Sequence, residues 1–575
     1  MTWPIQNMFT GGELSPRLAA RIDTSYYGQG CKTLENFLIH PHGGASRRPG
    51  TRFVAEVKDS SKAVRLIPFQ FSVTQAYVLE LGDQYLRFYM DQGQIQDGGS
   101  PYEIASPYAA ADLFELQWCQ SADVMYLVHP DYAPRKLSRT GHTSWTLATV
   151  SFTSQPSEWD TNNWPSCVTF YEQRLVFAGV PSHPQTIWMS RTNSYEDFTL
   201  NDPLQDDDRV KFTLVADQVN VIRWLTATRN LLVGTVGGEW EVYSDGPLTP
   251  ANPTAQRYTT HGSANAMPLM IENAVLFIQR NGKKVRELAY VFESDGYLAP
   301  DIMIRSEHLT RTHSILDWTY QHSPDSIAWA VRSDGQLMGL TYLRKEQILA
   351  WHRHTTQGEF QSVACIPGTS NDEVWAVVKR TVDGSTKRYI EFFENEFVSD
   401  DVSDAFFVDC GLSYDGSATS TISGLDHLEG EEVAILADGS VRPRQTVASG
   451  DITLSSSASK IHAGLPYESV LETMNLEAGA RNGTAQGRTK RINRLVLRLD
   501  RSLGGWVGPD EAKMDQLLFR TSNDAMGQAL PLFTGDKTIT FPGGQNTHGR
   551  IRIKQTMPLP LTVLAVIPEV DTSRR

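Results

Sequence analysis

Two histidine pairs, one aspartate run and three Ser-Asp-Gly turns are the residues whose types and spacing could do chemistry in this chain. His40 and His42, and likewise His352 and His354, stand two apart. On a strand that spacing puts both imidazoles on one face, where they can bind zinc. Neither pair has a nearby Cys or an obvious third ligand in sequence, so both read as loop or strand histidines. The stretch Asn201-Asp202-Pro203-Leu204-Gln205-Asp206-Asp207-Asp208 offers four carboxylates that could ligate Ca²⁺. It lacks the alternation and the glycine of an EF-hand loop, and reads as a solvated turn. Ser244, Ser294 and Ser333 each open a Ser-Asp-Gly turn like the Asp-boxes of sialidase propellers, but the tryptophan expected a few residues on is missing at all three. No Gly-x-Ser-x-Gly elbow and no phosphate-binding Gly-rich loop with Lys-Ser/Thr occurs. The sequence therefore assigns no catalytic, cofactor-binding or metal-ligating residue, implies no cofactor, and predicts a protein that is not an enzyme.

The elements that must position these residues recur. Between Ala63 and Phe393 an apolar run, a turn and a second run return seven times. The first runs are 76–81, 124–128, 175–179, 231–235, 274–278, 327–331 and 374–378. Turn chemistry follows each, at Gly82-Asp83, Pro130-Asp131, Pro181-Ser182, Gly237-Gly238, Asn281-Gly282, Asp334-Gly335 and Asp383-Gly384. Gly and Asn there tolerate the positive φ of tight hairpins. Consecutive turns lie about 44 to 56 residues apart, the range of a four-stranded propeller blade. The spacing predicts an all-β fold, a β-propeller of six or seven blades with additional β-rich domains; two successive β-sandwiches are the alternative. Segment boundaries are expected at 1–62 (platform-like N-terminal segment), 63–393 (propeller), 394–480 (acidic β-rich domain) and 481–575 (C-terminal β domain packing back on the platform).

Composition narrows the function classes. The chain of 575 residues has 66 Asp and Glu against 52 Lys and Arg, a net charge of −14. A sequence-specific nucleic-acid reader gains affinity from clustered cations on phosphates, which this balance disfavours. The five cysteines, Cys31, Cys119, Cys167, Cys365 and Cys410, are scattered without a CxxC pair and read as reduced, in a protein made in the cytosol. The first twelve residues lack a secretory pattern, and the longest apolar run, 557–570, is broken by Pro558, Pro560 and Pro568, so no integral membrane segment is expected. Charge is uneven. Residues 391–440 hold thirteen Asp or Glu and no Lys or Arg, whereas 481–501 hold Arg481, Arg488, Lys490, Arg491, Arg494, Arg498 and Arg501 against Asp500 alone. Read as a strand, the latter turns Leu495, Leu497 and Leu499 inward and Arg494 and Arg498 outward. An acidic and a basic strip on one chain fit a head-to-tail ring of identical subunits; pairing within one subunit and solvation are the other readings.

Residues 9–54 do not resemble the repeats. They contain Phe9-Thr10-Gly11-Gly12-Glu13-Leu14-Ser15-Pro16, Arg21-Ile22-Asp23, and Gly43-Gly44-Ala45-Ser46-Arg47-Arg48-Pro49-Gly50. Physically, the last run is a tight turn presenting guanidinium forks that suit carboxylates or phosphates. For Arg47, Arg48 and Arg52 that means ion pairs within a subunit or with a neighbouring subunit, or contact with DNA phosphate. In order and spacing these motifs resemble the tail tubular protein B family, the tail nozzle or stabilisation proteins of short-tailed bacteriophages. Gly234 to Trp240, the run 424–430, Ala463-Gly464-Leu465-Pro466-Tyr467 and Pro560 to Leu564 extend the resemblance along the chain. It implies a structural virion protein located in the virion tail: a homo-hexamer forming the nozzle below the head-to-tail adaptor, carrying tail fibre or spike proteins. Double-stranded DNA would pass its lumen without sequence-specific binding. An acidic lumen repels phosphate and lets DNA slide, and 391–440 is the candidate lining. The alternative is a carbohydrate-binding or glycan-processing β-propeller with a glycan in its central cavity. A cellular peptide-binding propeller scaffold would need the Trp-Asp repeat endings, which are missing.

Overall fold

In the computed structural model, which describes residues 2–477, 483–522, 524–525 and 528–572, every one of the seven apolar runs is the second strand of its own antiparallel sheet. These strands are Gln75–Gly82, Val124–His129, Arg174–Val180, Leu231–Thr235, Ala274–Ile278, Ile327–Arg332 and Asp372–Val382. Their centres are apolar runs because both faces are covered: all five residues of Leu231–Thr235, and of Ala274–Ile278, are buried. Each sheet is a blade, and apolar clusters join each blade to the next. Leu79 and Phe88 of blade 1 meet Met125 and Trp145 of blade 2, and Trp224 and Leu232 of blade 4 meet Phe277 and Leu288 of blade 5. Trp329 and Val331 of blade 6 pack on Val363 and Val378 of blade 7. The cluster of Val377, Ile390, Val78 and Tyr89 then joins blade 7 back to blade 1. A closed ring of seven follows, and two sandwiches are excluded.

The closing strand comes from outside the repeats. Blade 7 runs Glu359–Pro367, Asp372–Val382, Ser385–Phe393 and then Thr51–Glu56, with Phe392 opposite Arg52 and Phe393 opposite Thr51. The sequence boundary at 62 is thus displaced, since a strand assigned to the N-terminal segment is propeller. Pairing across more than three hundred residues leaves no local trace in the pattern.

Two blades do not end at their fourth strand. The sheet of blade 6 continues from Ile348–His354 through Gly30–Glu35 to Ser469–Thr473, Arg552–Gln555, Trp506–Asp510 and Lys513–Gln516. Strand Ser469–Thr473, expected in the acidic segment, therefore belongs to this extension. Facing it is a five-stranded sheet of Phe37–Ile39, Ala45–Arg47, Thr562–Thr572, Lys490–Ser502 and Phe533–Thr540. Leu34, Leu471 and Ile553 meet Phe37, Leu495, Leu497, Leu499 and Val563 in the largest core. We call this two-sheet body the platform. The sheet of blade 7 continues through Thr51–Glu56 into Asp409–Ile422, Ile452–Leu465, Glu432–Ala437 and Ser440–Thr446, the acidic sheet. No described helix is long and apolar enough to cross a membrane.

Candidate functional site at the junction of propeller, platform and acidic sheet

Strand Ala45–Arg47 belongs to the platform and strand Thr51–Glu56 to blade 7, so Arg48-Pro49-Gly50 carries the chain between the two bodies. Gly50 is required there by contact: a Cβ would sit 1.9 Å from the Val408 carbonyl oxygen. Its N–H donates to the Phe406 carbonyl at 2.8 Å, and its own carbonyl accepts from Glu394 N–H at 3.0 Å. The crossing is thereby clamped to the 394–408 connection.

The arginine forks face inward. Arg48 is fully buried and forms a bidentate pair with Asp409, itself fully buried, at 2.8 and 2.7 Å. Its remaining donors reach Asn36 Oδ1 at 2.9 Å, the Pro49 carbonyl at 3.0 Å and the Thr355 carbonyl at 2.9 Å. All five guanidinium N–H groups are used. Burial pushes the Asp409 carboxyl up, but the Arg48 charge and hydrogen bonds, with Arg380 nearby, overturn this and hold it below the ordinary carboxylate range. A second buried pair, Arg380 with Glu391 at 2.7 and 2.8 Å, adjoins the first, and Thr51 Oγ1 donates to Glu391. Arg47 has carbonyl partners instead, at Met557, Leu559 and Tyr467. The Tyr467 ring lies beneath both arginines, 4.3 Å from the Arg47 guanidinium carbon and 4.0 Å from that of Arg48. Arg52 pairs with Glu394. The ion-pair reading holds for Arg48 and Arg52, whereas Arg47 has no carboxylate partner among the described residues and is held by three carbonyls and the Ser469 hydroxyl, so the buried forks of Arg47 and Arg48 face the protein interior.

The other motif residues also sit at joins. Glu13 is buried, accepts from Leu34 N–H at 2.7 Å and meets His308 Nε2 at 2.9 Å, tying the N-terminal segment to the connection after blade 5. Glu239 and Trp240 are core residues of blade 4, with Glu239 accepting from Thr259 and Ser263 hydroxyls. In the 424–430 run, Leu425 and Leu428 are fully buried, and the His427 ring stacks on Phe53 of blade 7 at 3.9 Å.

Of the histidine pairs, only His352 and His354 share a strand face. Both are fully buried, with His352 Nδ1 2.7 Å from His354 Nε2, and Gly339 opposite leaves the space His352 fills. Burial pushes His352 down to about 3 and His354 well below its ordinary value, so the pair is neutral. His40 and His42 do not share a face: they flank the hairpin turn between Phe37–Ile39 and Ala45–Arg47, and His42 is exposed. His40 has acidic neighbours that sequence spacing could not show. Its Nδ1 lies 2.7 Å from Asp325 of blade 6 and its Nε2 2.7 Å from Ser46 Oγ and 3.7 Å from Glu396. His40, Asp325 and Glu396 are the one group of His, Cys, Asp and Glu side chains among the described residues able to gather around a cation. The carboxylates flank opposite ring nitrogens, an arrangement suited to a protonated imidazole bridging two acids rather than to one metal. Although burial opposes it, the Asp325 contact raises the His40 pKa.

The aspartate run closes on itself. Asp208 is fully buried and accepts from Asn201 N–H, the Asn201 amide and Gln205 N–H, while Asp207 pairs with Arg191. The Ser-Asp-Gly turns occupy unlike places: Ser244 and Ser294 lie between third and fourth strands, Ser333 between second and third. All five cysteines are unpaired. Of the thirteen acidic residues at 391–440, Glu391 and Asp409 are core ion-pair partners, while Asp400, Asp401, Asp404, Asp415, Asp426, Glu432 and Asp438 are exposed. As a block the run is not a surface lining. On the opposing strip, Arg494 and Arg498 point outward over Leu495, Leu497 and Leu499 as expected, but Arg498 pairs with Asp536 and Lys490 is buried. Arg481 lies outside the described residues.

No protein-family model and no curated protein matches the chain. Among solved structures, the RRP9 WD40 repeats align with 60% of this chain and 99% of theirs, at 9% identity and a TM-score of 0.40. The C-terminal WD40 domain of Sif2 aligns over 60% and 100%, at 10% and 0.33. For the Neurospora crassa Pan2 WD40 domain the figures are 59% and 91%, at 9% and 0.32. The chain carries a seven-bladed β-propeller. That assignment rests on the closed ring of seven blades itself.

Proposed function

We propose that this chain is a non-catalytic structural subunit of a short-tailed phage tail nozzle, assembling as a hexamer below the portal adaptor around the DNA channel. The observation that carries the reading is where the motif residues lie. Glu13, Arg47, Arg48, Gly50, Leu425, Leu428, Tyr467 and Leu561 are all buried, most of them at joins between propeller, platform and acidic sheet. Such motifs serve to hold bodies in fixed relation rather than to meet a substrate. A channel wall needs that property, because DNA under pressure loads it and a hinge would leak.

Two buried bidentate pairs, Arg48 with Asp409 and Arg380 with Glu391, and the Tyr467 ring stacked on Arg47 and Arg48 make the junction a directional lock in a way that apolar packing alone does not. The exposed carboxylates Asp400, Asp401, Asp415, Asp426 and Asp438 supply the negative charge assigned to the lumen, where repulsion of phosphate keeps DNA sliding. Tail fibres or spikes would attach to the outer surface of the ring. Quantitative peptide mass spectrometry of purified particles tests the reading, using as internal standard the portal protein's twelve copies expected from the family resemblance. A sixfold nozzle gives about half the portal signal. Absence of the chain from particles overturns the assignment.

A further inference from the structure

A cavity of about 680 Å³ lies between blades 4 and 5. Its walls combine two chemistries. Tyr258, Tyr290 and Tyr297 form an edge-to-face cluster, with ring centroids 5.3 Å apart for Tyr258 and Tyr297 and 5.8 Å for Tyr290 and Tyr297. Beside them stand Glu241, Asp245 and Glu272, with Arg229 as the single cation in the lining.

The parts differ in rigidity. Glu241 is buried in the third strand of blade 4, and Asn230 Nδ2 donates to its Oε1 at 2.6 Å. Burial, and then its hydrogen bond to Glu241, pushes the Tyr258 hydroxyl up to about 12, so it stays protonated and bonded to that carboxylate across the ordinary pH range, which fixes the ring in the wall. Tyr290 is 46% exposed at the lip, its hydroxyl held by Asp295 at 2.7 Å. Glu272 and Asn273 are exposed at the turn between the first two strands of blade 5. The result is a preformed cleft with fixed aromatic faces and acceptors, open to solvent.

We infer that this cleft binds a short neutral or amino-substituted oligosaccharide. Sugar rings present C–H faces that lie on tyrosine rings and hydroxyls that donate to carboxylates and amides, and the cavity is of small-ligand size. Three carboxylates against one arginine disfavour uronic or sialic acids, nucleotides and phosphates. A basic peptide satisfies the charge but leaves the aromatic cluster without a matching partner. The site lies between adjacent blades, not in the central cavity where a glycan-processing propeller would hold its ligand. It does not rest on the nozzle reading.

The test is titration calorimetry of the full chain with chitotriose, maltotriose, a glucosamine trimer and a galacturonate trimer. Binding of one or more of the first three, and none of the last, is expected. Two exposed positions give variants that leave the core intact: Tyr290→Ala and Glu272→Gln. Loss of one aromatic face should weaken binding about five- to tenfold. Glu272→Gln should reduce the preference for the glucosamine trimer over chitotriose. Failure of all three neutral or amino ligands to bind at millimolar concentration overturns the inference. So does binding that neither variant changes, preferential binding of the galacturonate trimer, or tighter binding of an oligolysine peptide at the same cleft.

Discussion

Replacing Asp409 by Asn removes one charge and keeps the side-chain shape, which makes it the sharpest probe of the junction. In the wild type, Arg48 and Asp409 are each fully buried and meet through two hydrogen bonds of 2.7 and 2.8 Å. In Asp409→Asn the guanidinium stays buried, loses its counter-charge and faces one amide NH₂ in place of an acceptor. Arg48 keeps Asn36, Pro49 and Thr355, so its remaining N–H groups stay satisfied, but three neutral acceptors do not replace a charge. Breaking one side of a buried pair costs about 3–5 kcal/mol. Against the roughly 5–15 kcal/mol stability of a typical domain, that is a large share. The assay is urea denaturation read by tryptophan fluorescence, with hydrogen exchange followed across 394–470. Earlier unfolding and faster exchange in the 394–408 connection are expected. The double variant Arg48→Met, Asp409→Leu should cost less than Asp409→Asn, because it leaves no uncompensated charge. Asp536→Asn removes another bidentate pair, Arg498 with Asp536, from an exposed site and should change nothing measurable. If Asp409→Asn lies within about 1 kcal/mol of wild type, or the double variant is worse than the single, the buried-pair argument is wrong.

Acid should destabilise the protein early. His352 is pushed down to about 3 and His354 well below its ordinary value, so the unfolded chain takes up protons there that the folded one refuses. Their stabilisation is full above the unfolded pKa near 6.5 and is lost as pH falls; for His352 alone the loss by pH 5 is about 2 kcal/mol. His40, whose pKa is raised, works the other way: its contribution is full below 6.5 and fades as pH rises through its folded pKa. Thermal melts at pH 7.5, 6 and 5 should show a steep fall that His354→Gln flattens, and a level wild-type profile would refute the assignment of a neutral pair. Gly50→Ala should destabilise by more than about 2 kcal/mol, because the added methyl must displace the Val408 backbone. Wild-type urea midpoints in that variant would show that the crossing is looser than drawn.

The propeller was legible because its signal is local. Seven apolar runs, each buried on both faces and each followed by a turn residue able to take a tight hairpin, are enough to place the second strand of every blade. The junction was only half legible. The Arg47-Arg48-Pro49-Gly50 run announced a turn with two guanidinium forks, but nothing in the sequence names Asp409 or Tyr467 as partners. The acidic run misled in a similar way, since charge counted along a chain does not separate Glu391, buried against Arg380, from exposed Asp415. His40 likewise brought no third ligand in sequence, yet Asp325 and Glu396 reach it from two other parts of the fold. The tyrosine cleft had no sequence signal, because Tyr258, Tyr290 and Tyr297 come from two blades and are unremarkable apart from their meeting.

By itself, the sequence determined the class of fold, the second strand and turn of each blade, and the inward and outward faces of the strand at 490–502. Those follow from periodicity and turn stereochemistry, which act over a few residues. Only the tertiary structure decided that seven blades close with strand Thr51–Glu56, and that both ends of the chain share one platform. It also decided which charges are buried and paired. Those outcomes depend on which distant segments exclude water together, a property of the assembled surfaces that no short window of sequence contains.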